Sequence, residues 1–263
     1  MKRTLTYLLI ASVASLSFIS CKKEARENAP EEVSQETLAK IANLGFSKEN
    51  VQKTDDGYLV EGDIILSEDR LNEVPTSPNL RIAGEEQYST FNLVNAPQAI
   101  SVSVTGTTST NFITAVDNAI ARYNAEGLRL TFNRVASGGD IDIVLVNTGQ
   151  YIASAGFPSR GAPYSQIKYA KKYANYSINF MTTVIAHEMG HCIGFRHTDY
   201  MNRAYSCGSG GNEGQTTTGV GAVHIPGTPT GPDANSWMLA CLSSTTNRPF
   251  NHNDKVALSY LYK

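Results

Sequence analysis

Three histidines within one short stretch are the residues of this chain best suited to metal chemistry. The stretch runs over residues 187–197 and holds three of the five histidines. His187 and His191 are four residues apart, so on a helix both imidazoles leave the same face and can reach one ion. Gly194 can adopt the positive φ at which helices often end, and the chain can then turn back and bring His197 to that ion. Three histidine ligands with one open position are typical of catalytic zinc, so we predict zinc as the cofactor.

Glu188 follows the first of these histidines and suits acid–base chemistry. Its carboxylate can take a proton from an attacking water and pass it to the leaving amine, while a bound zinc ion polarises the carbonyl. We therefore predict an endopeptidase with Glu188 as general base and acid. Two alternatives remain open: a non-catalytic surface protein that binds metal structurally, and a metal-dependent amidase for non-peptide substrates. A structural site needs no glutamate here and usually has a fourth protein ligand.

The complete motif resembles the signature of the metzincin zinc peptidases. Among them it is similar to the bacterial dual-action HEIGH metallopeptidases, with HEMGH in place of HEIGH, from about Ile100 to the C-terminus. The resemblance implies a metzincin-like fold with a mixed twisted sheet and two main helices. It also implies a Met-turn beneath the zinc, for which Met238 is the candidate. Some metzincins carry a tyrosine two residues after this methionine, but Ala240 stands there in this chain.

The elements around the motif predict how it is positioned. A long apolar segment that ends in the motif predicts a helix from about Ile178 to Ile193. A second helix is predicted from Ser109 or Thr110 to Gly127, because its apolar residues keep to one face. Apolar patterns predict strands near residues 100–104, 128–132, 141–146 and 165–169. Because strands and helices alternate, we predict an α+β fold in which helices pack on a mixed sheet.

One further segment resembles metzincins near their cleft. Ala155-Gly156-Phe157-Pro158 lies between the third and fourth predicted strands. Similar segments in metzincins border the cleft and offer their backbone to an extended substrate, as an added strand would. The residues by themselves are equally typical of a plain surface loop.

The C-terminal part of the chain is irregular. Residues 206–235 include eight glycines and three prolines and show no periodicity, which is unusual unless such a stretch is functional or cross-linked. A terminal helix is predicted at 253–262, so we expect a small loop-rich C-terminal subdomain. A disulfide between Cys207 and Cys241 would close the irregular loop, and we favour that pairing. Cys192 is interpreted as a small buried filler of the helix.

The N-terminus is typical of an exported bacterial lipoprotein. Basic residues at positions 2 and 3 precede a short apolar stretch from Leu5 to Ile19, which suits a signal peptide at residues 1–21. A retained membrane anchor is the alternative reading. Ser20-Cys21 resembles a lipobox, so Cys21 is the predicted lipidation site, and the attached chains would hold the protein at a membrane of the cell envelope or surface.

The composition indicates the kind of surface and core to expect, and breaks in the sequence pattern indicate the domain boundary. The 263 residues carry a formal net charge of −2 and only 17% charged residues, so no basic surface for nucleic acid is expected. The apolar fraction of 41% allows a packed core. A Pro-rich linker after Leu71 separates a tether and proregion at 22–90 from a catalytic domain at 91–263. Peptides or proteins are the expected substrates.

Asp63 is a candidate for keeping the enzyme latent. Val60-Glu61-Gly62-Asp63-Ile64 resembles the Phe-x-Gly-Asp segment of astacin proregions, with Val60 where phenylalanine is usual. The resemblance implies that Asp63 offers a carboxylate oxygen to the zinc until the proregion is removed. A cysteine cannot play this part, because none lies between Cys21 and Cys192. The alternative is that Gly62-Asp63 is only a turn between two strands.

Overall fold

A computed structural model describes residues 32–72, 87–106, 108–214, 219–229 and 231–263. The predicted signal peptide at 1–21, with the predicted lipidation site Cys21, lies outside these ranges, as does most of the Pro-rich linker. Among the described helices, none is long and apolar enough to cross a membrane.

A five-stranded sheet lies at the centre of the fold. Its strands are β5 (Gln98–Thr105), β6 (Leu130–Arg134), β7 (Ile141–Val146), β8 (Ala153–Ser154) and β9 (Gln166–Ala170). They lie side by side in the order β6-β5-β7-β9-β8. Four strands are parallel, and β8 pairs with β9 in the antiparallel direction at one edge. This mixed sheet confirms the α+β class predicted from the sequence.

Two long helices pack against the sheet and against each other. They are α3 (Thr110–Asn124) and α4 (Ile178–Cys192). Each begins at a serine whose hydroxyl accepts a backbone N–H three residues later, Ser109 for α3 and Ser177 for α4. The side chains of α4 are buried from Phe180 onward, because this helix lies inside the core rather than on its surface.

The C-terminal part is mostly irregular, as predicted. It contains α5 (Ala204–Cys207), the two-residue strand β11 (Val223–His224) and the terminal helix α6 (His252–Tyr262). A disulfide joins Cys207 to Cys241, 34 residues later, which is the pairing favoured from the sequence. Cys192 is a buried free thiol.

The N-terminal region, residues 32–72, has its own small core. It consists of α1 (Gln35–Asn43), α2 (Glu68–Leu71) and an antiparallel sheet of β1 (Gln52–Thr54), β2 (Gly57–Val60) and β3 (Ile64–Leu66). Apolar side chains from these elements form one cluster, and Phe157 and Val220 from the rest of the chain complete it. The region therefore packs directly on the catalytic part.

A third sheet includes residues just before the predicted start of the catalytic domain at residue 91. β4 (Tyr88–Ser89) lies between β10 (Phe195–Arg196) and β11, antiparallel to both. Residues 87–90 are buried, with exposed fractions of 0–3%. These residues fall within the predicted proregion, because so short a strand has no recognisable sequence pattern. We place the boundary between residues 72 and 87.

Candidate metal centre

Helix α4 and the turn after it bring the three motif histidines together. His187 and His191 lie one turn apart on α4, and their Nε2 atoms are 3.1 Å from each other. Gly194 ends the helix with φ of 110°, and a Cβ at this position would lie 2.8 Å from the carbonyl oxygen of Asn92. Only glycine fits this turn, which leads through β10 to His197. The candidate ligand atoms of this group all lie within 4.8 Å of one another.

Each histidine ring is oriented by a hydrogen bond on the side away from the centre. The rings are buried, and every Nδ1 atom has an oxygen acceptor, so Nδ1 carries the proton and Nε2 keeps a lone pair for a metal. The acceptors are the carbonyl oxygens of Trp237 for His187 and Phe195 for His191, both at 2.8 Å, and Oε1 of Glu213 for His197, at 2.9 Å.

Asp63 of the N-terminal region completes this group of donors. Its Oδ2 atom lies 3.2 Å from Nε2 of His197 and 3.6 Å from Nε2 of His187. Burial opposes ionisation of Asp63, but nearby His197 and His187 hold its pKa well below the usual range. The other oxygen, Oδ1, is buried without a hydrogen-bond partner. Three imidazole nitrogens and one carboxylate fit the four-coordinate donor set of zinc.

Glu188 lies beside the donor group without belonging to it. It is buried, and its Oε2 atom has no hydrogen-bond partner among the described residues. Burial and the negative charge of Asp63 raise its pKa well above the ordinary value. Together with Asp63 and His187, it lines a cleft of about 270 Å³ whose walls include Val184 and Leu242. A base in this position can reach a water or peptide bond in the cleft.

Met238 lies under helix α4, at the place implied for a Met-turn. A Cβ on Gly190, between the two ligand histidines of the helix, would lie 2.5 Å from the Met238 sulfur. Glycine at this position therefore lets Met238 pack against the helix backbone. The neighbouring Trp237 gives its carbonyl oxygen to His187. Ala240 stands two residues after Met238, where some metzincins carry a tyrosine. Its backbone N–H donates to Asp199.

The segment at 155–158 is not a plain surface loop. All four residues are buried. The backbone N–H of Ala155 donates to the carbonyl oxygen of Asp63 at 2.9 Å, and the N–H of Ile65 donates to the carbonyl oxygen of Ala155 at 2.7 Å. The N-terminal region thus adds an extended segment beside the edge strand β8. Gly62-Asp63 is a turn between β2 and β3, and it also reaches the metal centre.

Sequence reasoning missed the charged residues behind His197. Glu213 accepts its hydrogen bond, and Arg196 donates to Glu61 of the N-terminal region. Glu213 lies in the irregular glycine-rich stretch, where no period or spacing marks a functional residue. Arg196 stands inside the motif, but its ion pair joins residues far apart in the sequence. The charge of Arg196, between Phe195 and the last histidine of the motif, was an available signal.

Two solved structures of myroilysin are similar to this chain, each with 15% sequence identity. One alignment covers 67% of this chain and 98% of that chain with a TM-score of 0.47. The other covers 65% and 86%, with a TM-score of 0.43. A search of curated proteins finds no match.

A protein-family comparison identifies the chain. The model of the dual-action HEIGH metallo-peptidases matches residues 58–262, which include the histidine motif, Asp63 and the Met-turn segment. The matched range covers most of the 263 residues. This confirms the resemblance drawn from the motif, and with it the zinc cofactor and the endopeptidase class. The chain belongs to the dual-action HEIGH metallo-peptidases.

Proposed function

We propose that this protein is an exported zinc endopeptidase made as a latent precursor, with His187, His191 and His197 as ligands and Glu188 as the acid–base residue. One observation carries the assignment. The three Nε2 atoms converge while every Nδ1 is held by an acceptor, and beside them lies Glu188, whose Oε2 atom has no hydrogen-bond partner among the described residues. The fourth donor comes from the N-terminal region, so it is removable, unlike the fourth ligand of a structural site.

The proposed reaction assigns a task to each residue of the cleft. Zinc, when bound, supplies a Lewis acid that polarises the scissile carbonyl and makes water more acidic. Glu188 takes a proton from the attacking water as the new carbon–oxygen bond forms, and it returns the proton to the amine nitrogen as the carbon–nitrogen bond breaks. The backbone of Ala155 aligns the substrate, because it already pairs with an extended segment in the precursor.

Glu188→Gln tests this assignment. The variant should bind zinc like the wild type, while casein or peptide cleavage falls by about 10²–10⁴-fold. Metal analysis and a digest with and without a chelator measure the two properties separately. His191→Ala is the matched comparison, because it should lose zinc as well as activity. Near-normal cleavage by the glutamine variant would assign the proton transfer to another residue.

Latency is supported by the position of the N-terminal region. Asp63 lies next to the three imidazoles, and Gly62 and Asp63 line the cleft beside Glu188. Cleavage within the stretch between residues 72 and 87 would allow this region to leave, while β4 stays within its sheet.

Export and lipid anchoring rest on the sequence of residues 1–21 alone. The basic start, the short apolar stretch and Ser20-Cys21 support a lipidated Cys21. Cys21→Ser should release the protein from the membrane fraction or stop its processing. Membrane fractionation and mass spectrometry of the mature N-terminus measure this. A wild-type protein that is wholly soluble and begins at another residue would contradict the proposal.

A further inference from the structure

Arg196 is a buried cation whose nearest carboxylate comes from the N-terminal region. Its Nη2 atom lies 3.0 Å from both carboxylate oxygens of Glu61, and neither side chain is exposed to solvent. Its Nη1 atom donates to the carbonyl oxygen of Val220 at 2.8 Å. Its Nε atom is buried without a partner among the described residues. The catalytic part alone therefore satisfies only a fraction of this guanidinium group.

The N-terminal region also covers one face of Arg196. The centre of the guanidinium lies 4.3 Å from the ring centroid of Phe46, in the N-terminal region, and 5.9 Å from that of Phe157, in the catalytic part. Cations favour such positions over aromatic rings. When residues 32–72 leave, Arg196 loses both the Glu61 carboxylate and the Phe46 ring, and keeps Phe157.

Glu213 is the remaining carboxylate described beside Arg196, and it already has other partners. It lies 3.8 Å from Nη2 of Arg196 and 3.5 Å from Nη1 of Arg203, and it accepts a hydrogen bond from His197. After activation, two guanidinium groups and a histidine would share one carboxylate. The single charge of Glu213 cannot balance both guanidinium groups, and that of Arg196 is fully buried, so this place attracts an anion.

Glu61 also has a defined position relative to the candidate metal ligands. It lies two residues before Asp63, whose carboxylate stands among the candidate metal ligands. Asp63 and Ile65 pair with the backbone of Ala155, and Gly62 and Asp63 line the cleft, so Glu61 lies in the turn beside it. An acidic side chain of a peptide that turns here in the same way, close to the reacting position, can therefore reach Arg196.

We infer that Arg196, Arg203 and Glu213 form an anion subsite of the activated enzyme, and that this subsite binds a glutamate or aspartate side chain of the substrate near the scissile bond. This inference rests on the proposed function. In the precursor Glu61 fills the subsite. In the activated enzyme a substrate carboxylate takes its place, with Phe157 beside the guanidinium and the Arg196 hydrogen bonds restored.

Paired fluorogenic peptides test the subsite on the activated zinc enzyme. Each pair differs only by glutamate or glutamine, placed in turn at each position within three residues of the cleaved bond. At one position the glutamate peptide should have a kcat/KM about 10- to 100-fold higher, because hydrogen bonds to charged groups are the stronger ones. The ratio should shrink as salt is raised. Arg196→Gln should bring it close to one.

Two comparisons keep the test decisive. Arg134→Gln is the control, because Arg134 lies on the surface in an ion pair with Asp117 and should leave the ratio unchanged. If Arg196→Gln does not fold, inhibition of the wild type by a peptide of residues 58–66 decides, and its Glu61→Gln form should inhibit about 10-fold less. Equal kcat/KM for all pairs, with chelator-sensitive cleavage intact, would overturn the subsite and leave the proposed function standing. No cleavage of any peptide would contradict the proposed function itself.

Discussion

Among the three acceptors that orient the histidine rings, Glu213 alone carries a charge. Its carboxylate holds His197 at 2.9 Å, while the other two rings are held by backbone carbonyls. A carboxylate in this position fixes the ring and makes its free nitrogen a better ligand. A backbone carbonyl cannot be changed by mutation, so Glu213 is the residue at which this effect can be measured.

We expect Glu213→Gln to weaken zinc binding by about 10- to 100-fold. The glutamine oxygen can still accept from His197, so the loss reports the missing charge rather than a displaced ring. Competition with a chromogenic chelator measures the affinity. Asp117→Asn, at an exposed carboxylate, is the control and should bind zinc as the wild type does. Unchanged affinity in Glu213→Gln would show that Glu213 serves mainly to neutralise Arg196.

The convergence of the three motif histidines could be predicted from the sequence because their geometry is local. His187 and His191 are joined by one helical turn, and Gly194 leads to the third histidine within a few residues. Glu213 and the Glu61–Arg196 pair could not be predicted, because tertiary folding brings them together from distant parts of the chain. Asp63 was proposed as a latency ligand only through the resemblance of its segment to astacin proregions, with a simple turn left as the alternative.

At the scale of elements, helix α4 and the Met-turn touch at Gly190. Gly190→Ala would place a Cβ 2.5 Å from the sulfur of Met238 and 3.1 Å from Nε1 of Trp237, so Met238 must move. We expect a loss of about 1–3 kcal/mol in the free energy of unfolding. Zinc binding should weaken as well, because Trp237 orients His187. Thermal unfolding and metal titration measure both.

Gly149→Ala is the matched control for this change. Gly149 is exposed, and a Cβ there meets no atom within 4 Å. This variant should differ from the wild type by no more than about 0.5 kcal/mol. If Gly190→Ala proves equally mild, Met238 has room to adjust and the close contact does not constrain the helix.

Helix α6 supports the Met-turn through Asp254. This fully buried carboxylate accepts hydrogen bonds from Gln87, from the hydroxyl of Ser236 and from the backbone of Trp237, and it faces the negative charge of Asp233. Burial raises its pKa to about 6. The unfolded carboxyl has a pKa near 3.9, so between about pH 4 and pH 6 the folded chain holds a proton that the unfolded chain has lost.

The folded protein should become less stable as pH rises through this range. As pH rises from about 4 to 6, Asp254 lowers the free energy of unfolding by up to about 1.4 kcal/mol per pH unit. Urea unfolding of the metal-free protein should therefore show a less negative slope against pH for Asp254→Asn than for the wild type. Asp117→Asn should keep the wild-type slope. Parallel curves for all three proteins would mean that Asp254 is already ionised at pH 4.

Long elements were predictable and two-residue strands were not. Helix α4 and strands β5, β6, β7 and β9 each contain enough residues for a period to be recognised. Strands β4, β8, β10 and β11 are two residues long, and their pairing depends on partners elsewhere in the chain. That is why the predicted start of the catalytic part fell at residue 91, although residues 87–90 lie inside a sheet.

At the scale of the whole molecule, Asp63→Ala tests whether the N-terminal region keeps the enzyme latent. We expect this precursor to cleave peptides, or to mature, sooner than the wild type, because a donor beside the three imidazoles is removed. Cleavage rates of the intact precursors, followed with the appearance of the mature form on gels, measure it. Asp69→Ala, at an exposed residue of α2, is the control and should stay latent. Equal latency of Asp63→Ala and wild type would leave Asp63 as a turn residue.

The central position of β4 between β10 and β11 also orders the events of biosynthesis. Tyr88 and Ser89 are synthesised before Phe195 and Val223. Strand β4 therefore cannot pair until both of its neighbouring strands have been made. Closing so large a loop costs chain entropy before any contact is gained, which makes this a late and slow step. Because β10 leads directly to His197, the third imidazole is set in place only when nearly all of the chain has been synthesised. Competence to hold the metal thus arises at the end of folding.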